Sequence, residues 1–447
     1  MPPQADGAGA AVRDAGPAGA ARSWGRYPLV RQQLVALRER SAPLPLRSGL
    51  SHLPYGNGRS YGDSCQNPDG VLLATRALDH FITFDVEQGV LRCEAGVLLA
   101  DILAVFVPRG WFLPVTPGTQ LVTVGGAIAN DVHGKNHHRF GTFGEHLRCF
   151  ELLRSDGSRR ECSRERNAEW FRATVGGLGL TGLITWAELQ LRRVPGPAIA
   201  GETLRFGGLR EFFELSRASD ASHEYTVAWV DCLARGRALG RGLFMRGKHS
   251  AGVGVRASRA WLRMPFTPPL PLVNRLSLRV FNELYYGLPH RPRWRMHYQP
   301  FLYPLDGIAD WNRMYGPRGF LQYQCVVPPA VAEDAIRALL DEIAAHRDGS
   351  FLSVLKVFGE RPAAGLLSFA RPGATLALDF PNRGPASFAL LDRLDQIVDQ
   401  AGGAVYPAKD ARLSAASFQR YFPAWKEFGA FVDPRFSSGF WRRVTDG

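Results

Sequence analysis

Between residues 28 and 195, short apolar runs broken by turn residues predict strands at Val71–Ala74, Phe81–Asp85 and Val90–Glu94, and helical spacing predicts helices over 29–39 and 98–107. In Leu152-Leu153-Arg154-Ser155-Asp156-Gly157-Ser158 an Asp-Gly pair sits between two strand-like runs and predicts a hairpin. Gly176-Gly177-Leu178-Gly179 then leads into an alternating strand ending near Val194. Pro195-Gly196-Pro197 can continue neither a helix nor a central strand, so a second domain is expected to follow it. The later half of that domain predicts strand, helix, strand, strand, helix, strand over Phe320–Val327, 331–345, 351–358, 375–380, 387–401 and 404–406. Val331, Ala335, Ile336, Leu339, Leu340 and Ile343 give its first helix one buried face. The order predicts an α+β chain whose second domain is an antiparallel sheet with helices on one side. Positions 413–444 are largely helical in pattern, and Phe418, Tyr421, Phe422, Trp425, Phe428, Phe431 and Phe436 are expected to pack rather than to bind.

Composition narrows the class. At 447 residues, 45% hydrophobic and 21% charged, the chain has the make-up of a soluble globular protein of two or three domains. No uninterrupted apolar run reaches membrane-spanning length and the N-terminus lacks the pattern of a secretory signal, so a cytoplasmic location is expected. Residues 1–22 are rich in Ala, Gly and Pro without periodicity and are expected to form a disordered leader. Six scattered cysteines carry neither a disulfide framework nor metal-ligand spacing.

The net charge of +13 changes the picture once it is located. Thirteen Lys or Arg against the single acid Glu283 place +12 of it between residues 235 and 295, a segment expected to be an insertion. There the bases interleave with Trp261, Phe266, Leu270, Leu272, Leu276, Phe281, Tyr285, Tyr286 and Trp294. Such a mixture suits an anionic membrane surface. Nucleic acid and a plain solvated insertion are the rival readings.

The chemistry concentrates in two glycine-rich loops. The first runs Pro54-Tyr55-Gly56-Asn57-Gly58-Arg59-Ser60-Tyr61-Gly62-Asp63; the second runs from Pro117-Gly118 through Thr123-Val124-Gly125-Gly126 to His133-Gly134-Lys135-Asn136-His137-His138. Glycines let backbone N–H groups approach a pyrophosphate closely. A nicotinamide-binding turn is set aside, because Tyr61 occupies its third glycine position and the residues after Gly62 cannot form an amphipathic helix. The loops instead match the cradle of a flavin dinucleotide.

With these loops, Thr174-Val175-Gly176-Gly177-Leu178-Gly179-Leu180-Thr181-Gly182, Gly319-Phe320-Leu321-Gln322-Tyr323-Gln324 and Tyr406-Pro407-Ala408-Lys409-Asp410, the chain resembles FAD oxidoreductases of the vanillyl-alcohol-oxidase, or PCMH, type. Within them it is most similar to the decaprenylphosphoryl-β-D-ribose 2-oxidase family, over nearly everything after residue 25. The resemblance implies a two-domain PCMH-type FAD-binding fold: an FAD domain over 23–195, a substrate domain over 196–403 and a segment over 404–447 that returns to the FAD domain. It implies FAD contacts from Gly56, Asn57, Gly58, Arg59, Ser60, Tyr61, Gly62, Asp63, Gly118, Thr123, Val124, Gly125, Gly126, His133, Gly134, Lys135, Asn136, Ile184 and Tyr406. Many relatives tether the flavin through a histidine where this chain has Arg59, so a dissociable, non-covalent FAD is expected.

The activity implied is oxidation of the 2-hydroxyl of a polyprenylphosphoryl ribose to a 2-keto sugar, which an NADH-dependent short-chain reductase partner returns as the arabinose epimer for cell-wall glycan. A lipid-linked substrate favours the membrane reading of the basic segment, with the enzyme peripheral at the inner membrane and no nucleic acid partner. Alcohol oxidation by a flavin needs a base for the hydroxyl proton, for which Lys409, His133, Lys135 and Tyr61 are the candidates. A lysine serves as base only if burial or a neighbouring cation lowers its pKa; otherwise it stabilises a developing alkoxide. By resemblance, Trp229, Tyr303, Gln322, Lys356, Thr375, Ala377 and Lys409 line the sugar pocket, with Thr375 and Ala377 standing where some members have asparagine and cysteine. No metal is implied. A soluble alditol or aldonolactone oxidase and a membrane-associated scaffold with an idle flavin fold are the alternatives.

Overall fold

A computed structural model describes residues 21–252, 255 and 262–445. The expected leader lies outside the described residues up to position 20, as do Arg256, Arg259 and Trp261 of the basic segment. Two main sheets, with a small pairing of Trp111–Phe112 and Arg192–Arg193, build the N-terminal part. Gln33–Ala36, Val71–Ala74 and His52–Tyr55 form a parallel three-stranded sheet with Val71–Ala74 in the middle. Phe81–Asp85, Val90–Glu94, Leu183–Gln190, Leu147–Leu153 and Arg159–Ser163 form an antiparallel five-stranded sheet in that order. The Leu99–Phe106 helix covers this sheet with Leu99, Ile102, Leu103 and Phe106, one face at helical spacing. The Asp156-Gly157 hairpin forms as its turn chemistry dictates, with Gly157 left-handed at φ 81°.

The second part is one eight-stranded antiparallel sheet. Its order is Arg293–His297, Ala198–Phe206, Gly242–Ser250, Tyr225–Val230, Val354–Phe358, Gly373–Pro381, Phe320–Val327 and Ala404–Val405. Alternation assigns its two faces different tasks. Leu321, Tyr323, Cys325, Leu376, Leu378 and Phe380 join a core with Ile336, Leu339, Leu340 and Ile343 of the Ala332–His346 helix and Leu390, Leu391 and Leu394 of Pro385–Gln400. Each such side chain contributes about 1.5–3 kcal/mol by leaving water. The intervening residues Gln322, Gln324, Ala377, Asp379, Val354 and Lys356 face the other way, into a cavity. The helices rest on one face of the sheet and the cavity lies against the other.

Three expectations change. The 29–39 helix is instead the Gln33–Ala36 strand, because parallel pairing with Val71–Ala74 satisfies its backbone from Gln33 N to Gly70 O through Leu37 N to Ala74 O. Tertiary pairing outweighs the weak helical period of so short a run. The basic segment is not an insertion: Gly242–Ser250 and Arg293–His297 are integral strands of the large sheet. The 413–444 segment breaks into the short helices Ala415–Tyr421, Trp425–Gly429 and Gly439–Thr445, with Phe418, Tyr421, Phe422, Phe428 and Phe436 buried. The last of these helices reaches back to the first glycine loop: Arg443 donates to Asp63 at 2.7 Å and to Asp410 at 3.0 Å. Among the described residues no helix is long and apolar enough to cross a membrane.

Candidate active site

A cavity of about 1070 Å3 lies between the glycine loops and the free face of the large sheet. That is at the upper end of the roughly 300–1,000 Å3 typical of small-molecule sites, as a dinucleotide cofactor plus a substrate requires. Gly56 to Tyr61, Gly118, Thr123, Gly125, Gly126, His133, Gly134, Lys135, Ile184 and Tyr406 line it. Thr123 holds the second loop in place by accepting from Gly126 N at 3.1 Å. A Cβ at Gly118 would meet nothing within 4 Å, so the loop presents bare backbone to open space there. At Gly62 a Cβ would lie 1.7 Å from the Asp410 carbonyl oxygen, so the first loop closes onto the C-terminal segment only with glycine. Gly62, Asp63, Val124 and Asn136 sit behind the wall. There Asp63 pairs with Arg443 and Asn136 donates to Pro114 O at 2.8 Å.

Arg59 lines the cavity with its guanidinium 4.2 Å from the Trp24 ring centre and its Nη1 on the Asn57 carbonyl. The nearby Cys65 thiol is pushed up to about 12 by burial, which leaves it unreactive. His133 is buried; with the Gln324 amide nitrogen donating, its Nε2 accepts at 2.9 Å and its Nδ1 is left without a partner. Burial, with Lys356, His137 and Lys409 nearby, drives the His133 pKa well below the ordinary range and keeps the ring neutral. An orphaned buried nitrogen at His133 and unhindered backbone at Gly118 fit the polar edge and the pyrophosphate of a flavin dinucleotide.

At the sheet end of the cavity the polar groups converge. Lys409 places its Nζ 3.7 Å from the centre of the Tyr61 ring. Burial lowers the pKa of this ammonium and Lys356 lowers it further, while the Asp379 carboxylate opposes both. Asp379, 1% exposed, has its pKa raised by burial and accepts from Gln322 Nε2 at 2.6 Å. Lys356 is lowered to about 8 and Lys135 to about 7, both chiefly by burial. Lys135 gives its ammonium to the Phe301 and Leu302 carbonyls, so it clamps the Tyr298–Leu302 helix. The Tyr303 hydroxyl meets Thr116 Oγ1 at 2.6 Å, and Trp229 Nε1 donates to Phe351 O at 3.0 Å. Ala377 lines the cavity, whereas Thr375 stands behind it and accepts from Gln324 Nε2 at 3.2 Å.

Three residues escaped the sequence reading. Asp379 and Gln324 occupy cavity-facing positions of their strands, and a lone acid between Leu378 and Phe380 was the signal that marked the first. Asp306 accepts from Gln120 N at 2.9 Å and ties the Pro304–Gly307 turn to the second loop; nothing in its local sequence marks it.

A cavity lined by glycine loops, with basic and amide groups on the sheet wall that faces them, defines an FAD-dependent oxidoreductase acting on an alcohol. The comparisons agree: residues 45–163 match the FAD binding domain family. Decaprenylphosphoryl-beta-D-ribose oxidase of Mycolicibacterium smegmatis is 35% identical over 415 residues, 89% of each chain. An uncharacterized protein in the mprA 5' region of Streptomyces coelicolor is 36% identical over 78% of this chain and all of its own length. Mouse L-gulonolactone oxidase is 30% identical over 30% of each chain. The chain belongs to the decaprenylphosphoryl-β-D-ribose oxidase family of FAD-dependent oxidoreductases.

Proposed function

We propose that this enzyme oxidises the 2-hydroxyl of a polyprenylphosphoryl-β-D-ribose to the 2-keto sugar. An NADH-dependent short-chain reductase then completes the epimerisation to the arabinose donor, and the enzyme works peripherally at the inner membrane. The observation that carries the reading is the grouping of Lys409, Gln322 and Asp379 on the sheet wall of the cavity, with the Lys409 ammonium against the Tyr61 ring of the first glycine loop. A sugar presents several hydroxyls, and an amide, a phenol and an ammonium around it supply both donors and acceptors.

Held non-covalently in the cavity, FAD supplies the acceptor for the hydride that leaves C2. The chain supplies the rest. The condition for a lysine base is met at Lys409, whose pKa is depressed by burial and Lys356. Its amine takes the proton of the 2-hydroxyl as the C2–H bond breaks, leaving the C2 carbonyl and the ammonium; the Asp379 carboxylate stabilises that ammonium. Gln322, fixed by Asp379, and Tyr61, beneath Lys409, orient the sugar ring. Lys356 is the residue we assign to the substrate phosphate. Its ammonium lies on the same cavity wall, 3.5 Å from the Gly134 carbonyl.

The reading is tested by incubating the FAD-loaded enzyme with a prenylphosphoryl-β-D-ribose and identifying the product. A 2-keto sugar that reductase and NADH convert to the arabinose epimer is the expected result. Turnover of free alditols or aldonolactones in its place would make the enzyme a soluble sugar oxidase.

A further inference from the structure

We propose that the outer face of the Arg275–Gly287 helix and the loop before it seat on an anionic lipid bilayer, and that this helix brings the mouth of the cavity to that surface. The proposal rests on the reading of the substrate as lipid-linked and names where the lipid enters.

The helix has two apolar sides. Its start is fixed by a capping box in which Asn274 Oδ1 accepts from Leu276 N and Ser277 N while Ser277 Oγ accepts from Asn274 N. On the inner side Leu278 is fully buried and Asn282 donates to Asp231 Oδ1 at 2.6 Å. Arg241 grips both Asp231 and Glu283 at 2.7 Å. Phe281 and Tyr285 on this side line the cavity, with Tyr285 4.9 Å from the Trp229 ring.

On the outer side Leu276, Val280, Leu284 and Leu288 recur every fourth position and are 73%, 50%, 56% and 55% exposed. Leu262, Phe266, Leu270 and Leu272 in the preceding loop extend the same exposed apolar character. Eight of the twelve exposed large apolar side chains among the described residues thus fall between positions 262 and 288. Single exposed leucines are ordinary; a concentration of this kind needs a cover.

Charge decides the cover. Arg275, Arg279 and Arg291 are exposed beside the apolar stripe, and none of them has an acidic partner among the described residues. Cations flanking an apolar stripe match lipid phosphates above acyl chains. A second copy of this chain would set arginines against arginines, which disfavours it. A nucleic acid would leave the leucines uncovered. Arg291 is both exposed and cavity-lining, so the cavity meets the exterior beside this helix. A prenyl chain leaving the bilayer there meets Tyr285, Phe281 and Trp229 before the sugar reaches Lys409.

The test is co-sedimentation of the full-length, FAD-loaded enzyme with vesicles of phosphatidylcholine alone or mixed with phosphatidylglycerol, for the parent chain and for Leu276→Ser/Val280→Ser/Leu284→Ser. The parent is expected to sediment with the anionic vesicles only, and the triple variant to lose binding by about tenfold or more. The variant should keep its turnover of a water-soluble short-chain prenylphosphoryl ribose and lose turnover of a long-chain substrate embedded in vesicles. Equal vesicle binding by the two proteins overturns the proposal. So does a parent dimer that the triple variant dissolves, which would make the face an interface between copies. Loss of short-chain turnover in both proteins would instead count against the substrate assignment and leave the vesicle result to judge the surface.

Discussion

Gln322 donates to Asp379 at 2.6 Å from the position directly opposite it on the neighbouring strand. The bond fixes a buried carboxylate at the end of the cavity where Lys409 rests on Tyr61. Burial drives the two charges of this pair toward neutrality and their mutual attraction holds them back, so each sets the other's protonation.

Asp379→Asn keeps the shape and a hydrogen bond but removes the charge that raises the Lys409 pKa. Since a base must be unprotonated to act, activity in the parent should rise with pH through the depressed Lys409 pKa. In the variant that limb should move to lower pH. The pH profile of kcat/KM checks this; a limb that stays in place or moves upward would separate Asp379 from Lys409.

Lys409→Met removes the amine while keeping an unbranched side chain on Tyr61. Turnover should fall by about 10²–10⁴-fold, the usual scale for loss of a positioned base. The FAD content, read from the visible absorbance of the purified protein, should be unchanged, because the glycine loops do not depend on this side chain.

Arg443→Met tests how the C-terminal segment supports the first loop. Asp63 and Asp410 are 8% and 3% exposed at their side chains and share this one guanidinium. Leaving both buried without it should cost about 3 kcal/mol or more in stability. Denaturant titration reads that loss, and a weakened FAD affinity should accompany it because Asp63 and Gly62 shape the loop.

Acid precipitation should release the yellow chromophore into the supernatant. Arg59 presents a delocalised, protonated guanidinium over Trp24 instead of a nucleophilic imidazole, and the Cys65 thiol is too weakly acidic to attack. Colour that stays with the pellet would contradict a non-covalent cofactor.

Much of this arrangement was legible in the sequence, and the parts that were not share a cause. The glycine loops and the long amphipathic helices announce themselves locally, since their backbone and burial needs are met within a few neighbours. The Gln33–Ala36 strand was not legible, because its identity depends on Val71–Ala74 some forty positions away. Asp379 was hidden for a similar reason: the lone acid between Leu378 and Phe380 marks an unusual strand position but no partner, and only pairing opposite Gln322 brings it to Lys409. The basic segment misled in the other direction. Its composition is that of an insertion, yet its residues 242–250 lie between two partners inside the sheet.

The account stands most directly on one anaerobic experiment. Stoichiometric prenylphosphoryl-β-D-ribose added to the FAD-loaded enzyme without oxygen should bleach the visible flavin absorbance in a single turnover, and Lys409→Met should slow that bleaching without abolishing cofactor binding. A flavin band that persists with every prenylphosphoryl pentose, or that bleaches only with free alditols, would contradict the assignment.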